Sequence, residues 1–245
     1  MADTRSRALI AVGVVTAVVV ALGITVLLVS RDNGSTVDVP TGDPPSARGA
    51  TYSLDFGRTG ASTTVAPGLR EFRIGDLSAP ARVVDGALSQ GTTETAGATY
   101  FEREGRTPYS GIGVTASPPD GPGDSAAVLI LADNTIPQDA RVSPRPNVLA
   151  HLVIQADGWE LGVWEQASPT LQVVAAGRFP VSPGAPASYE LEWTGRTVRV
   201  HQPDGTVKNV TDDRFAVGVP RFATWELFQE GPGAESTRIR AWWAR

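Results

Sequence analysis

The sequence predicts an all-β fold, a sandwich of two antiparallel sheets, and three observations carry that expectation. Residues 150–201 alternate apolar and polar side chains through two tight ribbons. The chain of 245 residues contains 26 Gly and 19 Pro, a level that calls for many turns. Beyond residue 50 no stretch carries the apolar periodicity of a helix longer than two turns, and no internal repeat is visible.

In the first ribbon, Asp157-Gly158 can take the positive φ angles of a two-residue hairpin. Counting outward from it sets Ala156 across from Trp159, Ile154 across from Leu161 and Leu152 across from Val163, an apolar face that must be covered. The opposite face sets His151 across from Trp164, Val153 across from Gly162 and Gln155 across from Glu160. The second ribbon turns at Thr194-Gly195. Tyr189, Leu191, Trp193, Val198 and Val200 share its apolar face; Ser188, Glu190, Glu192, Thr197, Arg199 and His201 share the other, with Arg199 across from Glu190.

The other elements follow in order. Residues 51–56, 70–74, 81–88, 99–103 and 110–115 read as strands, with a tight turn at Asp85-Gly86. The apolar run 126–131 lacks alternation, which marks a central strand buried on both faces. Residues 134–148 carry three prolines and read as a loop. Pro203-Asp204-Gly205 turns the chain into 206–210, and residues 221–229 and 237–243 are the closing strands.

Ahead of this domain, residues 8–29 are uncharged, with Thr16 and Thr25 their polar side chains. At about 1.5 Å per residue they span a hydrocarbon core of roughly 30 Å as a transmembrane helix. Arg5 and Arg7 precede it and Asp32, Asp38 and Asp43 follow, so residues 1–7 are expected in the cytoplasm and everything after Ser30 outside the cytoplasmic membrane. The competing reading is a cleaved signal peptide, whose apolar region is usually shorter and ends in an A-x-A-like pattern that this run lacks. Residues 30–50 are polar and rich in Pro and Gly, a disordered tether to the domain 51–245.

Charge and composition narrow the function. With 21 Lys plus Arg against 26 Asp plus Glu, no basic stripe exists for nucleic acid. Lys208 is the sole lysine, a bias read as codon usage in a GC-rich genome of actinobacterial type. Cysteine is absent, which excludes disulfides, a thiol nucleophile and thiolate metal sites.

Several segments together resemble the concanavalin A-like lectin/glucanase superfamily over residues 52–245. They are Val84-Asp85-Gly86-Ala87-Leu88, His151-Leu152-Val153-Ile154 with Gly158-Trp159-Glu160-Leu161-Gly162-Val163-Trp164, and Tyr189-Glu190-Leu191-Glu192 with Val198-Arg199-Val200 and Pro203-Asp204-Gly205. Trp225-Glu226-Leu227-Phe228 and Arg238-Ile239-Arg240-Ala241-Trp242-Trp243 fit its last strands. The resemblance implies a jelly roll whose ligand groove is a concave sheet face. Its glucanase branch is recognised by a strand carrying E-x-D-x-x-E, which sets a nucleophile and an acid on one face. This sequence has no such run.

No catalytic set replaces it. Glu190 and Glu192 share one strand face, a pattern read as a solvated face with a cross-strand ion pair rather than as catalysis. His151 and His201 stand without a G-x-S-x-G motif or metal-ligand spacing. Calcium is the one ion that acidic turns could hold, at Asp120-Gly121-Pro122-Gly123-Asp124 or Thr211-Asp212-Asp213, and no other cofactor is called for. The expected ligand face is His151, Gln155, Glu160 and Trp164, extended by Thr224, Glu226, Arg238, Arg240 and Trp242 if the closing strands join the same sheet. Trp159, Trp193, Trp225 and Trp243 are assigned to the core. The leading expectation is non-catalytic binding of a cell-envelope polysaccharide. The alternatives are a glycoside hydrolase with unfamiliar carboxylates and a structural or protein-interaction module of an envelope complex.

Overall fold

The computed structural model describes residues 39–40, 49–57, 68–77, 80–90, 93–119, 125–136, 148–156, 158–164, 171–178, 184–231 and 236–245. The expected transmembrane segment 8–29 lies outside them. Among the described residues no helix is long and apolar enough to cross a membrane.

The described residues form sixteen strands, β1 Val39–Pro40, β2 Tyr52–Asp55, β3 Arg70–Leu77, β4 Arg82–Val84, β5 Ala87–Ser89 and β6 Thr93–Glu104 being the first six. Then come β7 Gly111–Ser117, β8 Ser125–Ala132, β9 Val148–Ile154, β10 Gly158–Val163 and β11 Gln172–Arg178. The last five are β12 Ala187–Thr194, β13 Thr197–His201, β14 Thr206–Thr211, β15 Phe222–Gln229 and β16 Arg238–Ala244. One sheet runs β1-β14-β13-β12-β7-β16-β5-β4, with β2 also on β16, and the other β11-β10-β9-β8-β15-β6-β3. Two residues of the expected tether, Val39 and Pro40, pair with Val207 and Thr206.

Both ribbons turn one residue away from the expected position. Ile154 pairs with Trp159 and Leu152 with Leu161, so the first turn falls between Gln155 and Gly158, and the Gln155 N–H donates to the Gly158 carbonyl at 2.9 Å. Thr194 pairs with Thr197, so the second centres on Gly195 and Arg196. Each error shifts the pairing by two residues, and a shift of two leaves every side chain on its own face. The Asp85-Gly86 turn holds as expected, with φ of 50° and 69°, the pair of left-handed residues a two-residue hairpin needs. β11 was not read as a strand, and most of its residues are half-buried at a sheet edge.

The apolar faces meet between the sheets. Leu152, Ile154, Trp159 and Leu161 pack in one cluster with Tyr189, Leu191, Val198 and Val200. β8 is buried along its whole length, as the unalternating run required. At the centre Trp225 of one sheet stacks on Trp242 of the other at 5.0 Å between ring centroids, with Phe56 set edge-on to Trp242 at 4.8 Å.

Trp242 was expected on the outer face and Trp243 in this core, and the structure exchanges them. The ladder between β16 and β7 slips after Ile239: Ile239 opposes Ala116, Ala241 opposes Thr115 and Trp242 opposes Val114. Arg240 is the extra residue of a β-bulge, which inverts the facing of everything after it. Its carbonyl accepts the Phe56 N–H at 2.9 Å while its side chain is exposed.

Candidate functional site

The outer face of the seven-stranded sheet can be read row by row from the register. One row runs Phe72, Tyr100, Glu226, Val128, Val153 and Glu160 across β3, β6, β15, β8, β9 and β10. The adjacent row runs Arg70, Glu102, Thr224, Ile130, His151 and Gly162. This face was expected to be an accessible polar trough. Instead Phe72, Tyr100, Val128, Ile130, Val148 and Val153 form a second buried cluster with Ile136, and Trp164, Leu171 and Phe228 pack against it. Five of the seven expected ligand residues lie on this face.

His151 is buried and accepts the Trp164 indole N–H at Nδ1, 2.7 Å away. A neutral imidazole accepting there carries its proton on Nε2. Gln155 ends the hairpin and Glu160 faces Val153, both half-buried. Glu226 is buried, and its Oε1 accepts the Tyr100 hydroxyl at 2.9 Å. Glu226 and Glu160 are three strands apart in one row, about 14 Å at about 4.8 Å per strand, too far to share one substrate bond. Arg240 and Trp242 are elsewhere, because β16 belongs to the nine-stranded sheet. Trp242 is in the core, so it offers no ring to a ligand.

The sequence reading missed a polar constellation at the opposite edge of the same face. Glu102, 3% exposed, pairs with Arg70 at 2.7 Å and accepts the Thr135 hydroxyl at 2.7 Å on the same oxygen. Its other oxygen accepts the Ile136 N–H at 2.8 Å, and Arg70 donates to the Ile136 carbonyl at 3.0 Å. A carboxylate on β6 and a guanidinium on β3 therefore hold the chain just beyond β8 down on the sheet. Beside this clamp lies an open depression of about 470 Å³ lined by Gly68, Leu69, Arg70, Glu102, Glu104, Thr135 and Phe222. The alternation Tyr100-Phe101-Glu102 was legible as two faces of one strand. Its partners were not, because Thr135 and Ile136 reach Glu102 across more than thirty residues.

The Glu190 face is also unlike its expectation. Glu190 is fully buried, accepts the Trp243 indole N–H at 3.0 Å and pairs with Arg245 at 2.6 Å. Glu192 pairs with His201 at 3.1 Å and with Arg199 at 3.5 Å, so the cross-strand ion pair falls on Glu192. Gly113 stands between Glu190 and Trp243 in the ladder, and a Cβ there would collide with the indole. Its bare Cα lets the Trp243 ring lie across β7 and seal Glu190 from water. Burial pushes the Glu190 carboxyl above its ordinary 4.5, against the opposing pull of Trp243 and Arg245. A raised folded-state value means the native state binds its proton more tightly, so the contribution is complete below about 4.5 and fades as pH rises through the folded value. Urea midpoints measured from pH 4 upward should fall across that window for the parent chain. Glu190→Gln should flatten the slope, and an unchanged slope would assign it to another group.

The acidic turn at Asp120 and Asp124 lies outside the described residues. At the other calcium candidate, Asp212 is engaged by the Arg214 backbone and guanidinium and Asp213 by Arg196. Among the described residues no group of three His, Cys, Asp or Glu side chains could hold a metal ion.

No family model matches the sequence, and no curated protein is similar to it. Solved structures do share the fold. A laminarinase from Rhodothermus marinus superposes with a TM-score of 0.57 at 14% identity, covering 80% of this chain and 96% of that one. LamAcat from Zobellia galactanivorans gives 0.53 at 12% identity, over 80% of this chain and 96% of its own. A Bacillus subtilis protein of unknown function with a galectin-like fold gives 0.53 at 14% identity, over 80% and 95%. Such identities speak to the fold alone, a two-sheet antiparallel sandwich of jelly-roll type.

Proposed function

We propose that the chain is a non-catalytic binder of a cell-envelope polysaccharide, held outside the cytoplasmic membrane by residues 8–29, with residues 1–7 inside. The observation that carries the reading is the open depression, where the apolar Leu69 and Phe222 stand beside Arg70, Glu104 and Thr135. Sugar rings are recognised by that combination, an apolar surface for their CH faces and fixed polar groups for their hydroxyls, and about 470 Å³ is within the usual range of ligand sites. Solved structures of this fold named as a laminarinase and an endo-β-galactosidase support a polysaccharide as the ligand class.

Hydrolysis is the runner-up, because Glu102 and Glu226 are diagonal neighbours on β6 and β15, about 7–8 Å apart along the ladder. Both are buried, however, with Glu102 held by Arg70, Thr135 and Ile136 and Glu226 bonded to Tyr100. A carboxylate so engaged is a poor nucleophile or acid. The interaction-module reading called for an exposed apolar patch. Among the described residues the exposed large hydrophobics are Val84, Val217 and Val219, too few to make one.

The test is pull-down and affinity electrophoresis of the purified full chain against a panel of polysaccharides, with a reducing-sugar assay alongside. Retention without release of reducing ends is expected. Phe222→Ala should weaken it at least about tenfold. Trp164→Ala reports on the far edge of the same face, where His151, Gln155 and Glu160 were expected to bind. If Trp164→Ala alone abolishes retention, the contact belongs there and not in the depression, and sugar release would favour the hydrolase.

A further inference from the structure

We infer that one end of the sandwich, the turn carrying Val217 and Val219, rests on the lipid surface of the membrane that holds the chain. The inference rests on the proposed anchor at residues 8–29 and is independent of the glycan reading. Among the described residues three large hydrophobic side chains are exposed, and two of them, Val217 at 70% and Val219 at 48%, stand on this one turn.

Their exposure is built into the fold. The 3-10 turn Asp213–Val217 buries Phe215 in the core, where the Trp193 indole N–H donates to the Phe215 carbonyl at 3.1 Å. Gly218 closes on what lies behind it, since a Cβ there would stand 2.7 Å from Asp133 Oδ2 and 2.9 Å from Leu149 Cδ2. Pro220 is buried, and its carbonyl accepts the Tyr109 N–H at 2.8 Å. With the backbone pinned at 215, 218 and 220, the two valines cannot fold inward. The Arg221 carbonyl accepts the Gly105 N–H at 2.8 Å, which brings the exposed Arg106 beside the exposed Arg221. Asp212 and Asp213 at the start of the turn are already paired with Arg214 and Arg196. Two apolar side chains are too few for a protein interface. With arginines beside them they match a headgroup layer, where apolar groups sit below the phosphates and long cationic side chains reach up to them.

The path of the chain brings this end to the membrane. Val39 pairs with Val207 and Pro40 with Thr206, antiparallel, so the chain reaches Val39 from the Thr211 side of β14 and leaves Pro40 past Thr206. Thr211 is the end of β14 that leads into the turn Asp213–Val217. Nine residues, 30–38, separate the anchor from Val39, and a random coil of that length has a root-mean-square reach of about 17 Å. The stretch from Val207 to Thr211 takes up about 14 Å of it, at about 3.4 Å per residue. Little is left over. The Thr211 end and the turn beyond it therefore face the bilayer at contact range, with the depression, whose Phe222 follows Arg221, on the same side.

The chain has no cysteine, so single cysteines carry a fluorophore to one place at a time. The full chain is reconstituted into vesicles of phosphatidylcholine and phosphatidylglycerol, with a nitroxide quencher either on the lipid headgroup or deep on the acyl chain. Val217→Cys and Val219→Cys should be quenched from the headgroup at least about twofold more than Val84→Cys, the exposed valine elsewhere in the fold, as side chains about 5–10 Å into the interface would be. Val217→Asp together with Val219→Asp, changes at exposed positions that the fold tolerates, should return the quenching of Ala216→Cys to that of Val84→Cys. Val18→Cys, midway along residues 8–29, reports the anchor through the deep quencher. Quenching at Val18→Cys with none at 217 and 219 beyond that of Val84→Cys would overturn the contact and leave the anchor standing. A signal at Ala216→Cys that survives both aspartates would overturn it as well. No quenching at Val18→Cys would reject the anchor, and the contact with it.

Discussion

Trp242→Ala is expected to lower the free energy of unfolding by about 3–5 kcal/mol. Trp242 is 1% exposed, stacks on Trp225 at 5.0 Å, meets Phe56 edge-on at 4.8 Å and lies 5.2 Å from Phe101. Alanine would leave a cavity among three aromatic rings that cannot all collapse inward. Arg240→Ala, two residues earlier on the bulge, removes an exposed side chain and should change stability by less than about 0.5 kcal/mol. Urea denaturation followed by tryptophan fluorescence measures both. A loss below about 1 kcal/mol for Trp242→Ala would mean that the bulge is absent and that the ring faces outward, as unbroken alternation would have it.

Glu102→Ala should cost about 3 kcal/mol, because the change strands donors rather than merely deleting an acceptor. Arg70, the Thr135 hydroxyl and the Ile136 N–H all point at that carboxylate. Glu102→Gln keeps one oxygen but turns an amide N–H toward groups that are themselves donors, so it should recover only part of the loss. Hydrogen exchange at the Ile136 amide is the local readout. Its protection should fall more than that of β8, and equal losses in both would mean that the clamp holds no separate strap. Because Glu102 and Arg70 also line the depression, glycan retention should fall with Glu102→Ala even at temperatures where the fold survives.

These two substitutions mark where reading the chain residue by residue succeeded and where it stopped. The apolar faces of both ribbons were legible, down to Leu152, Ile154 and Leu161 against Leu191, Val198 and Val200. The exact partners were not: Glu190 lies opposite His201 and Arg199 opposite Glu192, since each turn is displaced by one residue. On the candidate ligand face, His151 and Trp164 do meet, but as a hydrogen-bonded pair of a buried imidazole and a half-buried indole. The polar cluster that borders an opening was overlooked, because Arg70, Glu102, Thr135 and Phe222 come from four distant stretches of chain.

Alternation alone determined that this chain builds an all-β sandwich, because the facing of a strand residue is a local property that survives a two-residue slip in pairing. The tertiary structure decided three things that alternation cannot contain. The bulge at Arg240 exchanged Trp242 and Trp243, the bare backbone of Gly113 let Trp243 cross a strand to reach Glu190, and Ile136 was drawn over the outer face by Glu102. Each depends on groups 34 or more residues apart arriving at one place. Which side of a sheet is wet is thus set by what packs over it, and no pattern within the strand itself records its cover.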